Sequence, residues 1–424
     1  MLSDYCKSWN ANDEFVGLRF IQDGDSLTPE INFPRGFRIS LSEEETRRDI
    51  IRLFAVLLKF GNHREGGKYT EPDGNMSVSF PMRSYQYIIR DFLQHGYYTE
   101  REDFYSKNKR GKISWKRTIQ KVKPIISDDS FMYLDFVIKE SKNSNKSMVC
   151  LIHEYCVHES FRMFGWLFLE KALMPAKPHI RLNKPLFVSV LKQEMGRTFN
   201  TSKRYLFQCM IDIIEFSEDS ESVSSIPSFG VSSFEHVWEN MIDYVFGEDN
   251  KEDYFPHARW HILSNSGYKE ESSELKPDTI IRYDNKVFVI DAKYYKFGLT
   301  GLAMHLPATD SIQKQITYGD YIAVNRDKGI HVEAQNIYNA FVIPFDCMDE
   351  SQTPYKFVGV GTADWVYYDL STPPYKYVLA ILMDTRYLMS CSTRRDEQEI
   401  DIICRLIDSS VTEYRNKVYK NEVL

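Results

Sequence analysis

Residues 276–295, KPDTIIRYDNKVFVIDAKYY, constrain the fold of this chain more than any other stretch. Two runs rich in β-branched and aromatic residues, 279–283 and 286–295, are joined by Asp284-Asn285, so an antiparallel hairpin is expected. Its second strand is continuously apolar from Val287 to Ile290, the pattern of a strand buried on both faces. Around it, Phe234, Val237, Trp238, Met241, Ile242 and Val245 recur at three- and four-residue spacing and predict an amphipathic helix. Residues 310–324 and 396–414 read as further helices, and 340–344 and 377–383 as buried strands. The order helix, strand, strand, helix, strand, strand, helix gives an α/β (α+β) class, with a mixed sheet flanked by helices over residues 229–424.

The same hairpin carries chemistry. Asp278 follows a proline at the start of the first strand, and Asp291 and Lys293 lie near the end of the second. Side chains alternate along a strand, so Asp291 and Lys293 share a face while Ile290, Ala292 and Tyr294 share the other. Asp278 and Asp291 offer the hard oxygen ligands that Mg²⁺ prefers, and the Ala292 carbonyl is placed as a third; Mn²⁺ is expected to substitute. Lys293 would then orient an attacking water and stabilise charge growing on a scissile phosphate. The other Pro-Asp pair, Pro72-Asp73 in EPDGN, reads as a turn.

Residues 217–228, SEDSESVSSIPS, form the most serine-rich and polar run, with no apolar period, and mark an expected linker between regions 1–216 and 229–424. In the N-terminal region, 15–39 reads as short strands, and Ser42 with Glu45 forms a capping box ahead of a helix striped by Ile50, Leu53, Phe54, Leu57 and Leu58. A loop over 61–81 and a helix over 84–94 follow, then strands at 131–140 and 148–158, which complete an N-terminal α+β region.

Between Lys107 and Lys123 stand eight basic residues and no acidic one: Lys107, Lys109, Arg110, Lys112, Lys116, Arg117, Lys121 and Lys123, with Trp115 among them. In a chain of formal net charge -7 this is a local positive field. Contact with DNA phosphates is the functional reading, since lysine and arginine neutralise the backbone without reading sequence, and alternation in KISWKRTI would put several on one strand face. Docking onto a protein partner and a plain solvated surface are the alternatives.

Other patterns carry less. Cys150, His153, Cys156 and His158 resemble metal ligands, but on a strand Cys150 and His158 would stand roughly 26 Å apart, too far for one zinc. His257 and His261 have HxxxH spacing without the glutamate of HExxH and read as a local turn or helix start. Gly359-Val-Gly361 lacks a third glycine. The seven cysteines include no CxxC pair, so reduced thiols are expected. The opening MLSDYCKSWNANDE lacks the basic start and apolar core of a secretory signal, and no apolar run reaches the roughly 18 residues of a membrane span. A cytoplasmic, membrane-free location is expected.

The Asp278, Asp291, Lys293 arrangement resembles the PD-(D/E)xK nuclease superfamily, in which an acidic residue on an earlier helix often supplements the metal site. Glu239 in HVWEN is the first candidate; Glu235, one turn earlier, is its competitor, and spacing alone does not choose between them. Gln315 and Tyr318 in SIQKQITYGDY are similar to the Gln and Tyr that some members place on the helix beside the site. A narrower resemblance rests on FVGLRF, NFPRGF, NKRGKISWKRTI, WEN, KPDT and DAKYY, which together look like the LlaJI-type restriction endonucleases, relatives of McrC. That resemblance implies a nuclease subunit acting on double-stranded DNA with a McrB-like AAA+ GTPase, in a system that includes a cognate methyltransferase. The chain itself is expected to bind no nucleotide, because its nearest approach to a P-loop, GNHREGGK at 61–68, has one residue too many before GK and Tyr69 where Ser or Thr is required. The rival expectation is a non-catalytic adaptor that holds DNA or stimulates the partner.

Overall fold

A computed structural model describes residues 2–421 except 24–25, 62–63, 66–67, 70–80, 108–109, 128–129, 145–146, 169–173, 218–227, 265–266, 326–331, 348–352, 370 and 393–394. Most of the 217–228 linker, Pro72-Asp73, much of the P-loop-like 61–68 stretch and Lys109 therefore lie outside the described residues. The chain divides into two compact units, Met1–Met76 with Ile226–Leu424, and Ser77–Ser225. This differs from the linear division at 216, because the first residues of the chain belong with the last. Strand pairing explains the difference. The N-terminal hairpin Val16–Asp23 and Ser26–Asn32 gains Ser228–Val231 as an antiparallel neighbour, in the register Gly17↔Gly230. Gly17 has φ +143°, and a Cβ there would come within 2.2 Å of the Phe229 carbonyl oxygen, so this pairing depends on glycine. The helix Glu43–Phe60, whose N-cap Ser42 accepts a hydrogen bond from the Glu45 N–H as the capping box predicts, packs on the helix Glu235–Phe246.

The main sheet of this unit has five strands in the order Thr279–Tyr283, Lys286–Ala292, Ile337–Phe345, Val378–Asp384, Tyr355–Gly361. The three central strands are parallel and both edges antiparallel. Asp284 and Asn285 both have positive φ, 48° and 58°, as the two-residue turn requires. Ile337–Phe345 and Val378–Asp384 are buried at every position. On one face the helix Thr309–Val324 sets Tyr318 and Ile322 against Ile280, Val287, Val289 and Ile337. On the other, Phe288 stacks on Tyr338 at 4.9 Å and the Tyr338 hydroxyl donates to Asp408 on the helix Glu397–Asn421. The expected class, a mixed sheet flanked by helices, is what the chain forms. His257 and His261 sit on a strand rather than a turn or helix start: His257–Ser264 pairs with Gly267–Glu274, and the polar second strand hid the ribbon from sequence.

The second unit joins four helices, Met82–His95, Met148–Phe168, Lys184–Arg197 and Thr201–Phe216, to a small sheet of Glu100–Lys107, Val137–Ser144 and Lys112–Ile113. Two strand expectations fail here. Residues 148–158 are helical, since Val149, Ile152, His153, Cys156, Val157, Phe161 and Phe164 are buried at three- and four-residue spacing, a period that an eleven-residue window rich in β-branched residues disguised. Eight residues of helix span only about 12 Å, so the strand-based distance argument against a zinc site lapses. Among the described residues, however, no group of three His, Cys, Asp or Glu is placed to hold a metal ion. The KISWKRTI strand is instead the short strand Lys112–Ile113 followed by the helix Trp115–Lys121. That helix is pinned by Thr118, whose buried hydroxyl accepts from the Val137 N–H at 2.9 Å. The expected 131–140 strand divides between Ser130–Met132 and Val137–Ser144. No described helix is long and apolar enough to cross a membrane.

Candidate active site

Register brings the acidic pair together. Thr279 lies opposite Ile290, so Asp278, one residue earlier, falls beside the end of the second strand where Asp291 stands. Asp278 Oδ2 accepts a hydrogen bond from the Ala292 N–H at 2.8 Å, which ties its carboxylate to the strand end. Asp291 Oδ2 and Lys293 Nζ form an ion pair at 2.7 Å, and both side chains are largely buried. Asp291 shares its face with Val287 and Val289, the face covered by Tyr318, whose hydroxyl donates to the Lys276 carbonyl at 3.2 Å.

The electrostatics bind these residues into one group. Burial, then the charge of Asp291, then that of Glu239 push the Asp278 carboxyl up to about 8, because two carboxylates in one low-dielectric pocket resist ionising together. Burial works against the Lys293 ammonium, yet Asp291 and then Asp278 outweigh it and hold the group above its ordinary value. Tyr318 is raised by burial and then by the charges of Asp291 and Asp278. Glu239 is half-buried and raised, first by burial, while His236 at 3.2 Å and Lys293 act in the opposite sense. Glu239 thus feels Lys293 and is felt by Asp278; Glu235 is exposed and does not figure among the causes of the Asp278 shift.

Gln315 lies one turn before Tyr318 and is fully buried, and neither its amide oxygen nor its nitrogen has a hydrogen-bond partner among the described residues. An orphaned buried amide costs roughly 1–3 kcal/mol for each lost partner, so the Gln315 side chain in this state does not add to stability. Sequence reasoning missed Lys251. Its Nζ donates to the Asp278 main-chain carbonyl at 2.6 Å and pairs with Asp243 Oδ2 at 2.7 Å, anchoring the Pro-Asp backbone from the loop after the helix Glu235–Phe246. It stands in the mixed-charge run GEDNKEDY, where no period or spacing distinguishes it.

The basic cluster belongs to the second unit. Arg110, Lys112 and Lys116 are exposed, as are Lys107, Lys121 and Lys123, and Trp115 is 54% exposed in their midst. Arg117 differs, since its guanidinium lies 3.6 Å from the centroid of the Tyr105 ring.

Two comparisons with known proteins bear on what this arrangement does. A family model described as LlaJI restriction endonuclease matches residues 28–372, most of the chain and all of the hairpin that carries the acidic pair. The "Type II restriction enzyme BsuMI component YdjA" of Bacillus subtilis (strain 168) is 23% identical over 316 residues, covering 71% of this chain. The match spans 65% of that relative's own length, just under two thirds.

Proposed function

The chain belongs to the LlaJI restriction endonuclease family, and from that premise we propose that it is the DNA-cutting subunit of a multi-gene restriction system, hydrolysing phosphodiester bonds with Mg²⁺. The observation that supports this most is the convergence of Asp278, Asp291 and Lys293 at one strand end.

The donor set fits a hard dication. Burial first, and then the charge of Asp291, favour a proton on Asp278 near neutral pH, and a bound divalent cation would offset both by favouring the two ionised carboxylates. Two carboxylates with the Ala292 carbonyl, and among the described residues no group of three His, Cys, Asp or Glu placed to hold a metal, suit Mg²⁺ or Mn²⁺, which keep several waters, better than a closed zinc site. When bound, the cation supplies Lewis acidity toward a phosphate oxygen and lowers the pKa of water. The protein's own residues do the rest. Lys293, its charge secured by Asp291, orients the attacking water and meets negative charge growing on the phosphate. Glu239 completes the acidic wall, Tyr318 and Lys251 hold the backbone on either side of Pro277, and Gln315 supplies a buried amide beside Tyr318.

The word "component" in the relative's name favours a chain that works with other subunits. We assign a McrB-like AAA+ GTPase to that role, with this chain binding no nucleotide itself and a cognate methyltransferase protecting the host DNA. The exposed cations Arg110, Lys112 and Lys116, with Lys109 and Arg117, contact DNA phosphates in this scheme.

The test is plasmid cleavage by the purified chain together with the products of its neighbouring genes, with GTP and with Mg²⁺ or EDTA. Linear product that needs Mg²⁺ and disappears in Asp291→Ala supports the proposal. Undiminished cleavage by Asp291→Ala overturns the assigned chemistry, and partner stimulation with no cleavage by any component favours the adaptor.

A further inference from the structure

We propose that Arg35, in the NFPRGF loop near the N-terminus, is a positioning residue that fixes the turn carrying Lys293; this rests on the reading of Lys293 as the residue beside the scissile phosphate. Arg35 is only 9% exposed. Its backbone N–H donates to the Tyr294 hydroxyl at 2.6 Å, and its Nη1 donates to the Tyr294 main-chain carbonyl. Its guanidinium carbon lies 4.5 Å from the Trp9 ring centroid and 4.7 Å from that of Tyr294, with Nη2 paired to Glu14 at 2.8 Å. One residue thus holds Tyr294 at its ring face, its hydroxyl and its backbone.

The loop that presents Arg35 is itself fixed. Thr385 Oγ1 donates to the Arg35 carbonyl at 2.8 Å, and Phe33 stacks on Phe37 at 4.3 Å. Gly36 has φ +67°, and a Cβ there would fall 2.8 Å from the Phe345 backbone, so the loop lies directly against the ends of two sheet strands.

Lys293 needs such an anchor because the sheet stops before it. The strand ends at Ala292; the Lys293 N–H still donates to the Val342 carbonyl at 2.9 Å, but the Tyr295 N–H turns back onto the Lys293 carbonyl at 2.8 Å. Beyond that bond, the direction of the chain is set by Tyr294, whose ring also packs on Phe234 and Trp238 at 5.6 and 6.2 Å. Lys293 keeps its main-chain bond to Val342 and its ammonium reaches Asp291 at 2.7 Å, so a Tyr294 held by Arg35 fixes the turn from which the Lys293 stem extends. The role suits arginine over lysine, since a planar guanidinium can donate hydrogen bonds while lying against aromatic rings.

The experiment compares Arg35→Ala, Arg35→Lys and Tyr294→Phe in the full chain with its partner. It reads DNA affinity with Ca²⁺ in place of Mg²⁺, the single-turnover cleavage rate, and the acetic-anhydride labelling of Lys293 relative to other lysines at one fixed pH, by mass spectrometry. Arg35→Ala is expected to slow cleavage about 10²-fold with affinity within about twofold, the signature of lost orientation. Lys293 labelling should rise several-fold, and millimolar guanidinium should restore part of both rate and protection. Arg35→Lys should fall between wild type and Arg35→Ala, and Tyr294→Phe should move rate and labelling in the same direction by less. A cleavage rate in Arg35→Ala within about threefold of wild type overturns the proposal, as does a lost rate with Lys293 labelling unchanged. If Arg35→Ala does not fold, Arg35→Lys and Tyr294→Phe decide by the same two readouts. Should Lys293→Ala cut DNA normally, the catalytic reading fails, while the labelling still shows whether Arg35 places Lys293.

Discussion

The two units of this chain treat charge in opposite ways. In the unit of Met1–Met76 and Ile226–Leu424, Asp278, Asp291 and Lys293 are partly buried at one strand end, with Asp278 pushed up to about 8 by burial and its acidic neighbours. In Ser77–Ser225 burial keeps titratable groups neutral: it raises the thiols of Cys156 and Cys209, and it pushes His153 down to about 4, where the ring accepts a hydrogen bond from the Tyr98 N–H at 3.2 Å. There the cations stand outside, at Arg110, Lys112 and Lys116, near the exposed Trp115. A reaction centre keeps charge under strain where a substrate or cation relieves it; a docking surface keeps its core neutral and its charge free to meet a partner. On the proposed reading, the contrast teaches that this chain places its chemistry and its basic cluster in separate compact units.

The sharpest way to break that contrast is to remove the ammonium. Lys293→Ala should lower cleavage by about 10³-fold or more while DNA affinity and the melting of Ser77–Ser225 stay unchanged. Loss of DNA binding along with cleavage would show that the division of labour is wrong. Next in size is the surface. Arg110→Ala, Lys112→Ala and Lys116→Ala combined should weaken DNA binding by roughly 10–10²-fold and flatten the slope of log affinity against log salt by about 2 to 3, one for each lost phosphate contact. An unchanged slope with lost partner stimulation would reassign the cluster to docking.

Stability against pH separates the units further. A carboxyl raised in the folded state adds stability that is full below its ordinary value of 3.8 and is lost as pH rises through about 8. Asp278→Asn should therefore stabilise its unit at pH 9 by on the order of a few kcal/mol while abolishing cleavage, a trade read by denaturant melts and plasmid assay together. His153 runs the other way: the unfolded ring takes up a proton near 6.5 and the folded ring only near 4, so stability falls as pH drops across that window. Between pH 7 and 5 the wild-type Ser77–Ser225 unit should lose roughly 2 kcal/mol, and His153→Leu should remove that slope whatever it does to the baseline. Equal slopes in the two proteins would mean that another group titrates.

How much of this was legible follows the range of each interaction. The hairpin, its Asp284-Asn285 turn and the Ser42 cap are local, and the sequence pattern predicted each in place. The meeting of Asp278 with Asp291 was legible because one short turn fixes the register across both strands. By contrast, the pairing of Val16–Asp23 with Ser228–Val231, and the contacts of Arg35 and Lys251, depend on tertiary closure that no window of periodicity contains. The helix Met148–Phe168 was misread for another reason: Val149, Ile152 and Val157 suit a strand locally, and only the longer run to Phe164 reveals the helical period.

The central claim is that Asp278 and Asp291 form the seat of a divalent cation. Titrating the protein with Mn²⁺ and following the free-ion signal by electron paramagnetic resonance tests it without relying on turnover. Wild-type protein should take up Mn²⁺ and Asp291→Asn should not, while the triple Arg110, Lys112, Lys116 alanine variant binds as wild type. Equal uptake by wild type and Asp291→Asn would contradict the account.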